Sequence, residues 1–328
     1  MIRYRPASKH RWKLVRSPVT VCISAIADRH EAIVSCVDTR VSTAITSFDP
    51  LVGGKMSGAK GWTVLNSGTF SYAELLLDAF HAEMNGASDN DPPTIQRCLQ
   101  AALLAELPKF AAGKHLTPYG LDMPGFFDSR SKFTEERWNE LSRLISDHSD
   151  YYDVEMIVSG WGAQQEASAS PGACIFSVDR SGVVSHSNVG FYACGSGKEI
   201  AHSILSFFNQ QPHMTLAETV YHVAAAKFMS ERTGGVGPVT LMRVAIRTGN
   251  ANDAWKGYFI QPEEVHEIRE LWLRHTAPRI PPEAEDRIVA ILGKRGKLHV
   301  TQDHMQRRVQ DSIEKGKQLA AQNSEPER

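Results

Sequence analysis

The residue types that most often act as nucleophiles, bases or metal ligands are here five cysteines (Cys22, Cys36, Cys98, Cys174 and Cys194) and thirteen histidines. The cysteines are odd in number, far apart and never in a CxxC pair, so neither a disulfide framework nor a zinc site is indicated. They read as small core hydrophobes, with Cys22 as a rival nucleophile only if the chain were cut before it. The histidines show no HxH or HExxH spacing, and no metal or cofactor is expected. What remains is hydroxyl, amine and carboxylate chemistry. Four segments offer it: Thr20 at the head of a β-branched run, Asp38-Thr39-Arg40 after a second such run, Lys55 behind Gly53-Gly54, and Ser196 within Gly195-Ser-Gly197. Taken singly, these are a strand residue, a polar turn, one of many lysines and a common turn tripeptide.

The composition removes other classes of function. With 36 Lys plus Arg against 37 Asp plus Glu, the net charge of -1 gives no global basic field to hold nucleic acid or an anionic membrane. No apolar run approaches the roughly 18 to 20 residues of a membrane helix, and the start lacks the apolar segment of a secretory signal. A cytoplasmic protein is expected. At 328 residues and 42% apolar, the chain can bury a substantial core.

The candidate groups need elements to hold them. Residues 1–19 carry Arg3, Arg5, Lys9, Arg11, Lys13 and Arg16 with no acid and read as a separate basic tail. That tail is a propeptide or anchoring arm, a solvated tail with no task, or a misplaced start, since a valine at position 19 encoded by GTG can open a bacterial protein. Residues 20–26 and 32–37 form a hairpin around the polar turn 28–31, weak strands span 41–57, and 62–66 make a fifth strand. Helical periodicity follows at 72–84 and 94–107. The stretch at about 108–150, irregular and then amphipathic over 134–148, reads as an insertion. Strands return at 155–159, 173–178 and 183–187, and a helix pair follows at 198–209 and 215–231, the second opened by the capping box Thr215-Leu-Ala-Glu218. A strand over 239–246 closes the pattern.

Sheets followed by helix pairs, twice, lack the crossover helices of a parallel sheet. The expected fold is α+β: a four-layer αββα sandwich of two packed antiparallel sheets flanked by helix pairs, spanning residues 20–248. Residues 249–328 read as a helical C-terminal extension, with helices at 263–275, 283–292 and 301–322.

In this order, Thr20-Val-Cys-Ile-Ser, Ala-Ile-Val-Ser-Cys-Val-Asp38-Thr-Arg40, Gly-Gly-Lys55-Met56 and Leu-Asn-Ser-Gly68 before a helix resemble the proteasome β-subunit and bacterial proteasome-like peptidase family of N-terminal nucleophile hydrolases. Met156-Ile-Val-Ser-Gly160, Ala193-Cys-Gly-Ser196-Gly197 and Gly235-Val-Gly-Pro238-Val239 agree with it, and the match covers roughly residues 20–248 outside the insertion. The resemblance implies a threonine-type endopeptidase. Its nucleophile would be the Thr20 hydroxyl, and its base the freed α-amine of Thr20, whose ordinary pKa is about 7.7 to 8.0. Lys55 would lower the hydroxyl's pKa, Asp38 would hold Lys55 charged, the Gly68 N–H would bind the oxyanion, and Ser196 would help move the proton.

By the same resemblance Val41, Gly53, Ser57, Asn66 and Phe70 would surround the P1 side chain, and Ser42 with Gly68 would pair with substrate backbone. The family's second aspartate and serine near the last helix have no clear counterpart, with Ser230 and Thr233 as the candidates. The implied partners are a peptide or unfolded protein substrate, further copies of the chain in a homo-oligomer, and an ATPase. Two other readings stand beside this one. One is a small-molecule amide hydrolase of the same fold, with residues 113–133 as a lid; the other is a non-catalytic assembly subunit that keeps its tail before Thr20.

Overall fold

Strand runs that are apolar at nearly every position, rather than at alternate ones, form strands covered on both faces. In the computed structural model, which describes residues 20–42, 47–48, 54–150, 153–162, 172–233, 236–250 and 253–276, β1 (Cys22–Ala27) and β2 (Ala32–Asp38) are buried at every residue. They pair antiparallel from Cys22 opposite Val37 to Ala27 opposite Ala32. Two short strands, β3 (Val41–Ser42) and β4 (Ser47–Phe48), pair with each other.

The next strands are β5 (Met56–Ala59), β6 (Trp62–Gly68), β7 (Val154–Gly160), β8 (Cys174–Asp179) and β9 (Gly182–Ser185), which form one antiparallel sheet in chain order. The other sheet collects β1 and β2 with β10 (Phe191–Cys194), β11 (Thr240–Asn250) and β12 (Asp253–Ile260), in the order β10-β1-β2-β11-β12. Between the sheets, Cys22, Ile26, Ile33 and Val37 meet Leu65, Ile157 and Ile175. The outer face of the β5–β9 sheet is covered by α1 (Phe70–Gly86) and α2 (Pro92–His115), through Leu76, Phe80, Ile95 and Leu99 against Val64, Met156 and Val158. Helices α5 (Lys198–Phe207) and α6 (Leu216–Ser230) cover the other sheet along β10, β1 and β2. The four-layer αββα sandwich expected from the sequence is the observed fold.

Helix starts follow local chemistry. Asp91 accepts the N–H of Thr94 ahead of Pro92 and Pro93 at the first turn of α2. Thr215 and Glu218 form the reciprocal capping box that opens α6.

Four elements differ from the sequence reading, because tertiary contacts outweigh a local signal or the element is too short to show one. Helix α2 does not stop at 107 but runs through Pro108 to His115, despite the roughly 3 kcal/mol a helix-interior proline costs. The extra turns bring Ala112 and the following Leu116 into a cluster with Phe126, Trp138, Leu141 and Ile145. The first part of the insertion is therefore not irregular: α3 (Met123–Asp128) packs with α4 (Glu135–Asp150), the helix expected over 134–148, to close this small core, with Phe126 stacked on Trp138 at 4.0 Å and 7°. Strand β10, only four residues long, has too little periodicity to be read alone. The sheet also continues past residue 246, because β12 pairs along β11, so the region read as wholly helical begins with a strand.

The chain divides into two compact units, Met1–Leu271 and Trp272–Arg328. The helix expected over 263–275 is α7 (Pro262–Thr276), and the basic tail and the helices expected at 283–292 and 301–322 lie outside the described residues. Leu65 is fully buried between the sheets. Leu65→Ala should cost about 2 to 5 kcal/mol, measured as a lower urea midpoint at unchanged slope.

Candidate active site

One edge of the sandwich gathers the ends of several strands. Thr20 immediately precedes β1, Asp38 is the last residue of β2, Lys55 immediately precedes β5, Gly68 is the last residue of β6, and Ser196 lies in the turn between β10 and α5. Four of these five are bonded together. The Lys55 ammonium donates to Thr20 Oγ1 at 2.6 Å, to Asp38 Oδ2 at 3.2 Å and to the Arg40 carbonyl. The Thr20 N–H donates to Ser196 Oγ at 3.1 Å, and the Ser196 hydroxyl donates to the Thr20 carbonyl at 3.3 Å.

Burial makes these bonds obligatory. Thr20, Asp38 and Lys55 are 3%, 0% and 7% exposed, and an ion removed from water costs several kcal/mol unless its partners replace the lost hydration. Asp38 receives three donors: Lys55, the Val21 N–H at 2.8 Å on Oδ1, and the Gly237 N–H at 3.2 Å on Oδ2. Lys55 has three protons and three acceptors. Its ammonium points a charge at the Thr20 oxygen, which favours the anionic form of that hydroxyl. All three protons of the Lys55 ammonium therefore have a partner.

The turn carrying Ser196 is itself held. Gly195 has φ +87°, and a Cβ placed there would lie 2.4 Å from the Thr20 carbonyl oxygen, so the close approach of the two chains requires glycine. The Gly195 N–H donates to Glu155 Oε2 at 2.7 Å, while Lys198 pairs with the other Glu155 oxygen. Burial alone would lower the Lys198 pKa, but the bond to Glu155 and its charge outweigh this and raise it. On the far side, the Ser230 Oγ lies 3.1 Å from the Gly197 carbonyl and 2.8 Å from the Ala226 carbonyl, its one proton serving either acceptor. Of the two candidates left open by the sequence, Ser230 touches this turn, and Thr233 bonds back to the Ser230 carbonyl. Glu155 was missed by the sequence reading; its only signal is an acid near the start of an otherwise apolar strand.

The remaining predicted residues divide. Gly68 has φ +100°, and a Cβ there would fall 1.9 Å from the Asp153 carbonyl oxygen, which accepts the next N–H, that of Thr69, at 2.8 Å. Asn66 is buried and donates to the Gly54 carbonyl at 3.3 Å; Ser57 has a buried Oγ without a partner; the half-exposed Phe70 ring lies over Gly54, next to Lys55. These three therefore border the lysine's strand. Val41 and Ser42 are placed only as the backbone of β3, and Gly53 lies outside the described residues.

Cys22 is a poor nucleophile. It is fully buried, its thiol donates to the Asn66 carbonyl at 3.2 Å, and burial followed by the bond to Cys194 pushes its pKa well above the ordinary thiol range. Burial likewise raises Cys36 to about 12.

No protein-family model matches this sequence, and no curated protein matches it. Among solved structures, a mutant of Anbu from Hyphomicrobium sp. strain MC1 is similar at 12% identity and a TM-score of 0.50, over 78% of this chain and 95% of that one. The fold is proteasome-like. At that identity the likeness concerns the fold alone. Among the described residues no helix is long and apolar enough to cross a membrane.

Two outcomes test this geometry. Gly195→Ala should open the contact with Thr20 and destabilise the fold by at least about 1 kcal/mol through its strained backbone, read as a lower thermal midpoint. Iodoacetamide at pH 8 should leave Cys22 and Cys36 unmodified in the native protein, as peptide mass mapping will report.

Proposed function

We propose that this chain is a threonine-type N-terminal nucleophile hydrolase that cleaves peptide bonds through Thr20 once Thr20 is the first residue. The observation that carries the reading is the charged Lys55 ammonium 2.6 Å from Thr20 Oγ1, with Asp38 buried behind it. Stability alone does not account for a lysine sequestered in this way, because a buried ion pair seldom adds net stability over apolar residues of the same volume.

The chemistry follows from the groups present. The Thr20 amine, freed from Val19 and set against Ser196, takes the hydroxyl proton as the oxygen attacks the substrate carbonyl carbon. Lys55 lowers the cost of the negative charge on Thr20 Oγ1, and the Gly68 N–H receives the charge that develops on the carbonyl oxygen. The amine then passes the proton to the leaving nitrogen, and an ester on Thr20 remains. A water molecule, losing its proton to the same amine, hydrolyses the ester. Asn66, Ser57 and Phe70 form the wall nearest the substrate side chain. By the resemblance, the substrates are peptides or unfolded proteins delivered by an ATPase to a cytoplasmic homo-oligomer.

The folded core of the insertion, with Phe126 stacked on Trp138, weighs against a loose lid over residues 113–133 of the kind a small-amide hydrolase would use.

Intact mass of the purified protein is the first test, and the expected species begins at Thr20. Thr20→Ala and Lys55→Ala should each lower peptide hydrolysis by about a thousandfold or more with circular dichroism unchanged. Full activity in either variant, or a chain that always retains residues 1–19 yet hydrolyses peptides, overturns the assignment.

A further inference from the structure

A second set of ions, one buried and two partly buried, lies behind Asp38, outside the bonds just described. Lys227 sits on α6 with no solvent exposure, in the apolar run Val223-Ala-Ala-Ala-Lys-Phe-Met229. Its ammonium donates to Glu231, to the Gly237 carbonyl at 2.8 Å and to the Pro238 carbonyl at 3.1 Å. Glu231 is gripped from the other side by Arg269 of α7, whose Nη1 and Nη2 reach its two carboxylate oxygens at 2.6 and 2.7 Å. The same Arg269 Nη2 donates to the Pro238 carbonyl at 3.1 Å, and its guanidinium lies 4.1 Å over the Phe228 ring.

Lys227 therefore holds the backbone at both Gly237 and Pro238, and Arg269 holds it at Pro238. That backbone is not idle, because the Gly237 N–H is one of the three donors on Asp38. A structural ion cluster needs no such connection, and a lysine with no exposure is costly unless each proton has an acceptor. Burial pulls the Lys227 pKa down, and Glu231 opposes the shift. Lys227 reaches its three acceptors only while the 237–238 backbone stays in place.

We infer that Arg269, working through Glu231 and Lys227, is a positioning residue that fixes the Gly237 N–H on Asp38 and so sets Asp38 against Lys55. The inference rests on the reading of Thr20 as a nucleophile assisted by Lys55. It gives α7, which the sequence leaves without a task, a role in the reaction. Arg269 touches neither Thr20 nor substrate. A bidentate guanidinium is required because it bonds both Glu231 oxygens and the Pro238 carbonyl at once, which an ammonium on a flexible stem does not reproduce.

The test uses the full chain and two readouts. The first is the rate at which a peptide vinyl sulfone labels Thr20, followed by intact mass and normalised to the fraction of folded protein. The second is the NMR-detected hydrogen exchange of the Gly237 amide, which needs no activity. Arg269→Ala should slow labelling by about tenfold and speed Gly237 exchange, and Arg269→Lys should restore part of both. Unchanged Gly237 exchange in Arg269→Ala overturns the proposal, as does faster exchange with undiminished labelling. If wild-type Thr20 is not labelled at all, or is labelled equally well in Lys55→Ala, the nucleophile assignment fails, and with it any catalytic role for Arg269. Should Arg269→Ala fail to fold, Glu231→Gln keeps the shape and removes the charge between the two cations, and the same pair of readouts decides.

Discussion

A carboxylate without solvent exposure must find every donor inside the protein, and Asp38 is such a carboxylate. Its three donors come from three parts of the chain: Val21 at the start of β1, Gly237 ahead of β11, and Lys55 ahead of β5 in the other sheet. The first two fix the carboxylate within its own sheet, and the third fastens the two sheets together at one edge. Lys55 in turn reaches Thr20, so the geometry of the nucleophilic oxygen is inherited from the solvation of one buried charge.

The supports of this centre share a logic. Main-chain groups near the site are held by ions placed one layer further out: Glu155 and Lys198 hold the Gly195 turn, and Lys227, Glu231 and Arg269 hold the Gly237 turn. Ser230, on the same helix as Lys227, bonds the Gly197 carbonyl, so the C-terminal end of α6 touches both turns. Backbone donors cannot adjust their direction without moving the chain, and ions fastened to the chain limit that movement. Arrangement of this kind fits a site in which charge must be met without reorganisation, and it costs the fold three buried or half-buried ion pairs where apolar packing would serve as well.

Fold and chemistry are also separable here. The inter-sheet core of Cys22, Ile26, Ile33, Leu65, Ile157 and Ile175 contains none of these ions, and the insertion builds its own core around Phe126 and Trp138.

The layer architecture is written in the amino-acid pattern. Fully apolar strand runs and paired amphipathic helices each admit one partner type, so β1, β2, β6, α1, α5 and α6 were legible in it, as was the capping box of α6. It also carried Thr20, Asp38, Lys55 and Ser196 as candidates, because a resemblance in their order brought together residues that spacing alone leaves unremarkable. Where those residues meet is settled by long-range packing. Asp38 and Gly237 are 199 positions apart, Thr20 and Ser196 are 176 apart, and no local periodicity encodes such distances. For the same reason no local pattern singles out Glu231 or Arg269, whereas Glu155 in a mostly apolar strand and Lys227 in an apolar helical run each leave a trace. Strand β12 and the continuation of α2 past Pro108 belong to the same class: each gains its stability from a neighbour that the linear sequence places elsewhere.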